Sequence, residues 1–147
     1  MQALGLRVYG HAIMQIFRGA AAQFALADAN SFTGPARTKR LASDDIGVPV
    51  HVYRVEFETG GRTNWHTHTG PQWLFIVDGR VRVQKWGDPA FEITVGDAVV
   101  IHPGEKHWHG AAPGGTGAHI AVNVNATTKW LEPVSEEDYK NPVVAGG

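Results

Sequence analysis

Cysteine is absent from this 147-residue chain. A disulfide scaffold, a thiolate zinc site and thiol catalysis are therefore excluded, and any metal ion must be held by nitrogen and oxygen donors. No apolar run is long enough to cross a bilayer as a helix. No charge of one sign dominates: 13 Lys and Arg stand against 14 Asp and Glu, for a formal net charge of -1. The chain has no strong field to attract nucleic acid or an anionic membrane, and neither is expected as a partner. Arg37, Lys39 and Arg40 form a tight basic group, which reads as a solvated strand end rather than a phosphate contact. Long helices are missing as well, since no segment keeps a helical period beyond about two turns.

What the chain does have is punctuation. Its 18 glycines and 8 prolines are scattered rather than gathered in one linker, as suits many short strands joined by turns. The length fits one domain with one core. Residues 1–30 read as a weakly ordered N-terminal extension, with Gly19 to Ala29 alanine-rich enough for a helical turn or two. Arg7 and His11 interrupt the apolar start and Arg18 precedes Ala20-Ala21-Ala22, which argues against an export signal and for a cytoplasmic protein. Met14 offers an alternative start, which would leave residues 1–13 outside the fold.

Ser31 to Leu41 is expected to be a first strand, at a sheet edge because Pro35 lacks a ladder donor. A polar turn is expected at Ser43 to Gly47. From Val50 onward the strand pattern sharpens. Val50 to Thr59, Trp65 to His68, Gln72 to Val77, Arg80 to Trp86, Phe91 to Val95, Ala98 to Ile101, His107 to Ala111 and Ala118 to Val124 all read as strands. Asp78-Gly79 is expected to be a hairpin turn, and Ser135 to N-cap a helical turn over Glu136-Glu137-Asp138. About nine short strands and no long helix make an all-β sandwich or barrel.

Six of the eight histidines lie between His66 and His119. Strand parity puts His66 with His68, His107 with His109, and Gln72 with Leu74 and Ile76. His119 shares a face with Ala121 and Asn123, while Ile120, Val122 and Val124 fill the opposite one. Buried polar groups need partners. A barrel interior holding a metal ion supplies one. A solvated outer sheet face is the alternative and would suffice for a lone His-x-His pair, but two pairs with a glutamine and turn glycines favour the metal.

Gly60, five residues, His66-Thr67-His68, three residues, Gln72, six residues and Gly79 resemble the first cupin motif, with Gln72 in place of the usual glutamate. Gly96, five residues and His102-Pro103-Gly104-Glu105-Lys106-His107 resemble the second, with His102 where proline is common and Ala111 replacing a frequent asparagine. The resemblance covers about Val50 to Val124. It implies a single-domain cupin jelly-roll β-barrel (a double-stranded β-helix) over residues 31–132, with 133–147 as a C-terminal turn and tail. It also implies one divalent ion held by His66, His68, Gln72 and His107.

The stretches from Arg62 to His68 and from Pro103 to Pro113, with Glu136-Glu137-Asp138-Tyr139, are similar to small cupin-2 proteins of bacteria. These include manganese-dependent hydroxynitrile lyases and many relatives of unknown activity. Those lyases also place glutamine at the fourth ligand position. The resemblance puts manganese first, with iron, nickel, cobalt or zinc as alternatives. It further implies a homodimer in which Ser31 to Leu41 crosses to the partner.

Three imidazoles and one amide leave a divalent ion's charge uncompensated, where a glutamate would cancel one unit. A more positive site polarises a bound oxygen more strongly and disfavours oxidation to the trivalent ion, which tilts the chemistry toward Lewis-acid catalysis. Nitrogen and oxygen donors alone do not choose the metal. His119 faces inward by parity, and its ordinary pKa of about 6.5 suits proton transfer, so it is the candidate acid/base. Orienting a ligand is its alternative role. His109 ranks below it, and with Tyr53, Val55 and Asn123 is expected to line a substrate cavity. His102 is expected to pack near its turn, and Trp65, Trp73 and Trp108 to serve as core or dimer contacts. The leading reading is a metal-dependent lyase acting on a small carbonyl-derived molecule, with hydroxynitrile cleavage as the example. A metal-dependent dioxygenase and a non-catalytic small-molecule-binding protein are the alternatives.

Overall fold

The structure is a computed structural model that describes residues 7–8, 14–45 and 47–143. His11 and half of the first 22 residues lie outside the described residues, as do the last four of the C-terminal tail. Among the described residues there are fourteen strands and one short α-helix. The strands are β1 (Arg7–Val8), β2 (Gln15–Ile16), β3 (Ala25–Leu26), β4 (Phe32–Thr33), β5 (Ala36–Asp45), β6 (Pro49–Phe57) and β7 (Arg62–Thr63). They continue with β8 (His66–His68), β9 (Gln72–Lys85), β10 (Phe91–Thr94), β11 (Ala98–Ile101), β12 (His107–Ala111), β13 (Gly117–Val124) and β14 (Thr128–Trp130). The helix α1 is Glu136–Lys140.

β1 pairs β2, and the other twelve strands form one antiparallel sheet in the order β14-β8-β12-β9-β13-β6-β5-β3, with β10 and β11 on β9, and β7 joining β4 to β12. The sheet curls on itself because β9 is shared between its two halves. The expected hairpin at Asp78-Gly79 does not form. Gln72–Lys85 is one unbroken strand whose first half pairs β11 and β13 and whose second half pairs β10 and β12. Gln72, Leu74 and Ile76 are buried before Gly79, and Val81 and Val83 after it. The buried parity therefore switches at the bend. Gly79 makes the switch with φ of 59°, and a Cβ there would stand 2.1 Å from the Thr116 carbonyl oxygen. An Asp-Gly pair reads as a reversal only when the flanking segments pair with each other. Here both find partners elsewhere, and the chain bends through.

The expected first strand is two. Gly34-Pro35 separates β4, which pairs β7, from β5, which pairs β6. The polar turn expected from Ser43 is shorter, because Ser43, Asp44 and Asp45 extend β5 opposite His51, Val50 and Pro49. β3 covers the other edge of β5 only at Arg37 and Thr38.

Trp65, Trp108, Val134 and Tyr139 form one core cluster, which seats the C-terminal segment against the barrel. Trp73 is not core: it stands 42% exposed on the outer face, stacked with Phe75. Ser135 caps α1 by accepting from Asp138 N, as its sequence position predicts. Two buried arginines hold the segment down. Arg62 donates to Val134 O and Glu136 Oε1, and its guanidinium lies 4.4 Å from the Tyr139 ring centre. Arg82 Nη1 donates to the carbonyls of Tyr139 and Asn141, both at 2.7 Å. The Tyr139 hydroxyl donates to Ala111 O at the end of β12. Tyr139→Phe strands that buried carbonyl, so a loss of about 1–3 kcal/mol is expected. Urea unfolding would show it as a lower midpoint at unchanged slope.

Candidate metal centre

Antiparallel register assembles the histidines. β12 sets His107 opposite His66, and β14 sets Thr128 opposite His68 and Trp130 opposite His66. β13 sets Asn123 opposite Gln72. Directly opposed residues share a face and touch. The ring centres of His66 and His107 are 4.2 Å apart, those of His66 and His68 4.9 Å, and those of His68 and His107 5.4 Å. All three imidazoles and Gln72 are buried.

Hydrogen bonds decide which atoms face inward. His66 Nδ1 lies 2.8 Å from Asn64 O, and His107 Nδ1 2.9 Å from Glu105 O. A carbonyl can only accept, so each Nδ1 donates its hydrogen and each Nε2 presents a lone pair. His68 Nδ1 is 2.9 Å from Thr128 Oγ1, and its Nε2 is buried without a partner. Gln72 Nε2 donates to Asn123 Oδ1 at 2.8 Å, which turns Oε1 to within 3.3 Å of His107 Nε2. Two lone pairs then face each other with no hydrogen between them. A cation seated among these acceptors removes the repulsion and gives His68 Nε2 a partner, so the residues fit a divalent ion. Among the described residues, the histidines whose ligand atoms all lie within 4.8 Å of one another are His66, His107 and His109. His66 and His107 thus belong to either donor set, completed by His68 and Gln72 or by His109.

His119 Nε2 and His109 Nδ1 are 2.9 Å apart, one donating to the other, and the remaining nitrogen of each is buried without a partner. Phe57 packs against both rings. The adjoining cavity has a volume of about 210 Å³. Its lining includes the polar side chains of His66, His68, Gln72, His109, His119 and Asn123, and the aromatic and aliphatic ones of Phe32, Tyr53, Val55, Ala121 and Trp130. Tyr53, Val55, His109 and Asn123 all border this cavity. His102 is exposed and takes no part. A larger open groove of about 700 Å³ runs past Pro35, Arg37, Glu56 and Asp78. Its Glu56 is paired with Arg37 and Arg54. Three of the five buried unpartnered side-chain atoms found among the described residues belong to His68, His109 and His119, so chemistry concentrates in the smaller cavity.

Burial pushes the imidazole pKa values down, because the charged form loses its hydration. His107 falls to about 4 and His119 to about 3. Burial holds His66 and His109 well below their ordinary value and lowers His68. All five are neutral near pH 7, as ligation requires. For His119 this corrects the expectation of an ordinary pKa: it is fully enclosed, and parity alone says nothing of depth.

A family model described as the cupin domain matches residues 53–124. An (R)-mandelonitrile lyase of Granulicella tundricola is 40% identical over 115 residues, which are 76% of this chain and 88% of that protein. This chain is a cupin. The solved structure of a cupin-like protein from Thermotoga maritima superposes with a TM-score of 0.75 at 39% identity, covering 79% of this cupin and 90% of that chain. The polyketide cyclase RemF of Streptomyces resistomycificus superposes with a TM-score of 0.69 over 87% of this chain and 92% of that one. At 17% identity the latter likeness is one of fold alone.

Sequence reasoning missed the contribution of β14 to this cupin's site. Thr128 holds His68, and the Trp130 ring lies 4.6 Å from that of His66 and 5.8 Å from that of Phe32. The alternation of Thr128 and Trp130 about Lys129 is the signal that was available. Three residues carry too little periodicity to be read without their partner strand.

Proposed function

We propose that this cupin is a metal-dependent lyase that splits a small aromatic α-hydroxynitrile into aldehyde and hydrogen cyanide, with His66, His68, Gln72 and His107 holding the ion. The carrying observation is a set of neutral acceptors converging on a cavity of about 210 Å³ that aromatic and aliphatic side chains also line. A 150 Å³ apolar cavity holds benzene in another protein, so this one takes one ring with a short substituent. The 40% identity to a mandelonitrile lyase supports the same class of substrate. When bound, the ion supplies Lewis-acid polarisation of the substrate's oxygen or nitrile, with manganese the first candidate.

The chain's own residues do the rest. Phe32, Tyr53, Val55 and Trp130 hold the ring and keep water out. His119 accepts the hydroxyl proton at its unpartnered nitrogen, and its other nitrogen stays bonded to His109, which spreads the charge. The O–H electron pair becomes the carbonyl π bond. The C–CN bond breaks with its pair on cyanide, which takes the proton back from the imidazolium. A pKa of about 3 makes His119 a weak base in the empty cavity. Negative charge developing beside it favours the protonated ring, so proton transfer and bond cleavage proceed together.

Manganese(II)-loaded protein mixed with mandelonitrile is expected to release benzaldehyde above a metal-free control, and His119→Ala to lower kcat by about 100-fold or more. No release above the control would end this reading. Oxygen uptake in the same vessel would turn it toward a dioxygenase.

A further inference from the structure

The Gln72 amide has two orientations. In the one observed, Oε1 faces His107 Nε2 at 3.3 Å and Nε2 faces Asn123 Oδ1 at 2.8 Å. Rotated by half a turn, the amide would donate to His107 Nε2. That orientation replaces an acceptor–acceptor contact with a hydrogen bond, and it presents an NH2 group to any cation. Without a metal the rotated form is intrinsically favourable at His107. Asn123 opposes it, because rotating Gln72 alone would set Oε1 against Asn123 Oδ1. Asn123 reaches this position through register: it is the direct cross-strand partner of Gln72 on β13, on the same face.

We propose that Asn123 is a positioning residue that holds the Gln72 amide with its carbonyl oxygen turned to the ion. The proposal rests on the ligand set of the preceding section. Asn123 can itself rotate, so the competing metal-free state is a concerted turn of both amides, in which Asn123 Nδ2 donates to Gln72 Oε1 and Gln72 Nε2 donates to His107. The strength of metal binding therefore depends on which state the amide pair prefers. An aspartate at position 123 has no donor and removes the competing state, whereas a leucine of similar size holds neither.

The test is a manganese(II) titration of the full chain, with free ion followed by electron paramagnetic resonance, on wild type, N123L, N123D, Q72A and the doubles N123L/Q72A and N123D/Q72A. Circular dichroism of the metal-free proteins checks folding. N123L is expected to weaken Kd by about 10–100-fold, and N123D to bind at least as tightly as wild type. In the Q72A background N123L is expected to have no effect, since nothing remains to be oriented, and N123D to keep only the attraction of its added charge for the ion. N123L binding like wild type would overturn the proposal, as would losses that multiply in the double variant. A gain by N123D as large in Q72A as in the wild-type background would also overturn it, because a simple charge effect does not need Gln72. Should N123L fail to fold, the N123D comparison in the two backgrounds decides alone. Wild-type affinity in Q72A would instead remove Gln72 from the ligand set and take the proposal with it. Weakened binding in Q72A with N123L unaffected removes only the role of Asn123.

Discussion

Acidifying the metal-free protein from pH 7 to pH 4 is expected to remove most of its folding stability. His66, His68, His107, His109 and His119 are buried, and burial lowers the pKa of each in the folded state. In the unfolded chain each titrates at about 6.5. A group whose proton affinity is lower when folded stabilises the fold fully above its unfolded pKa. The stability drains away as pH falls toward the folded value, because the unfolded chain takes up protons first. For His107 the window runs from about 6.5 down to about 4, and for His119 down to about 3. Each such group removes up to about 1.4 kcal/mol per pH unit inside its window. By pH 4 these two alone cost on the order of 5 kcal/mol, comparable with the whole stability of a typical domain, about 5–15 kcal/mol. Bound manganese must be displaced before its ligands can protonate, so the loaded protein is expected to hold its stability to lower pH. Urea unfolding at pH 7, 6, 5 and 4, with and without the ion, measures both curves. A metal-free protein equally stable at pH 7 and pH 4.5 would refute the burial argument.

His107→Ala is expected to weaken manganese binding by more than the roughly 100-fold that losing an outer-shell partner costs at most. His107 supplies an inward Nε2 to either donor set, and its ring stands 4.2 Å from that of His66. Its loss also releases Gln72 Oε1 from its facing partner. Wild type at manganese one hundred times Kd gains about 2.7 kcal/mol of stability. For a chain of this size that raises Tm by roughly 5–10 °C, and the variant is expected to show no rise. Companion variants separate the two donor sets. Loss of the rise in His68→Ala with retention in His109→Ala supports the shell of three imidazoles and an amide. The reverse pattern replaces it with His66, His107 and His109. A full rise in His107→Ala would remove this cluster as the metal site.

Much of the fold was legible because its signals are local. Ala98–Ile101 and His107–Ala111 form as read, since each is a β-rich run closed by a turn. The capped helix after Ser135 forms where a hydroxyl stands before three acids. The reading failed where one residue pair serves two geometries. Asp78-Gly79 suits both a two-residue reversal and a bend in a continuous strand, and only the presence of β13 and β12 as neighbours selects the bend. Of the two roles expected for the tryptophans, core or dimer contact, Trp65 and Trp108 take the first, whereas Trp73 lies on the outward parity of β9.

The amino-acid sequence by itself determined which side chains share a face, because alternation along a strand has a period of two residues and needs no partner. It thereby grouped the histidines by face, excluded thiolate ligands and carried the motifs of the cupin family. Only the tertiary structure decided which of those faces meet. The contacts of His66 with His107, His68 with Thr128 and Gln72 with Asn123 join residues 41, 60 and 51 positions apart. They depend on the order and register of strands that local pattern does not encode. Depth is likewise a property of the curled sheet as a whole. His119 titrates near 3 rather than near 6.5 because the folded sheet takes it wholly out of water.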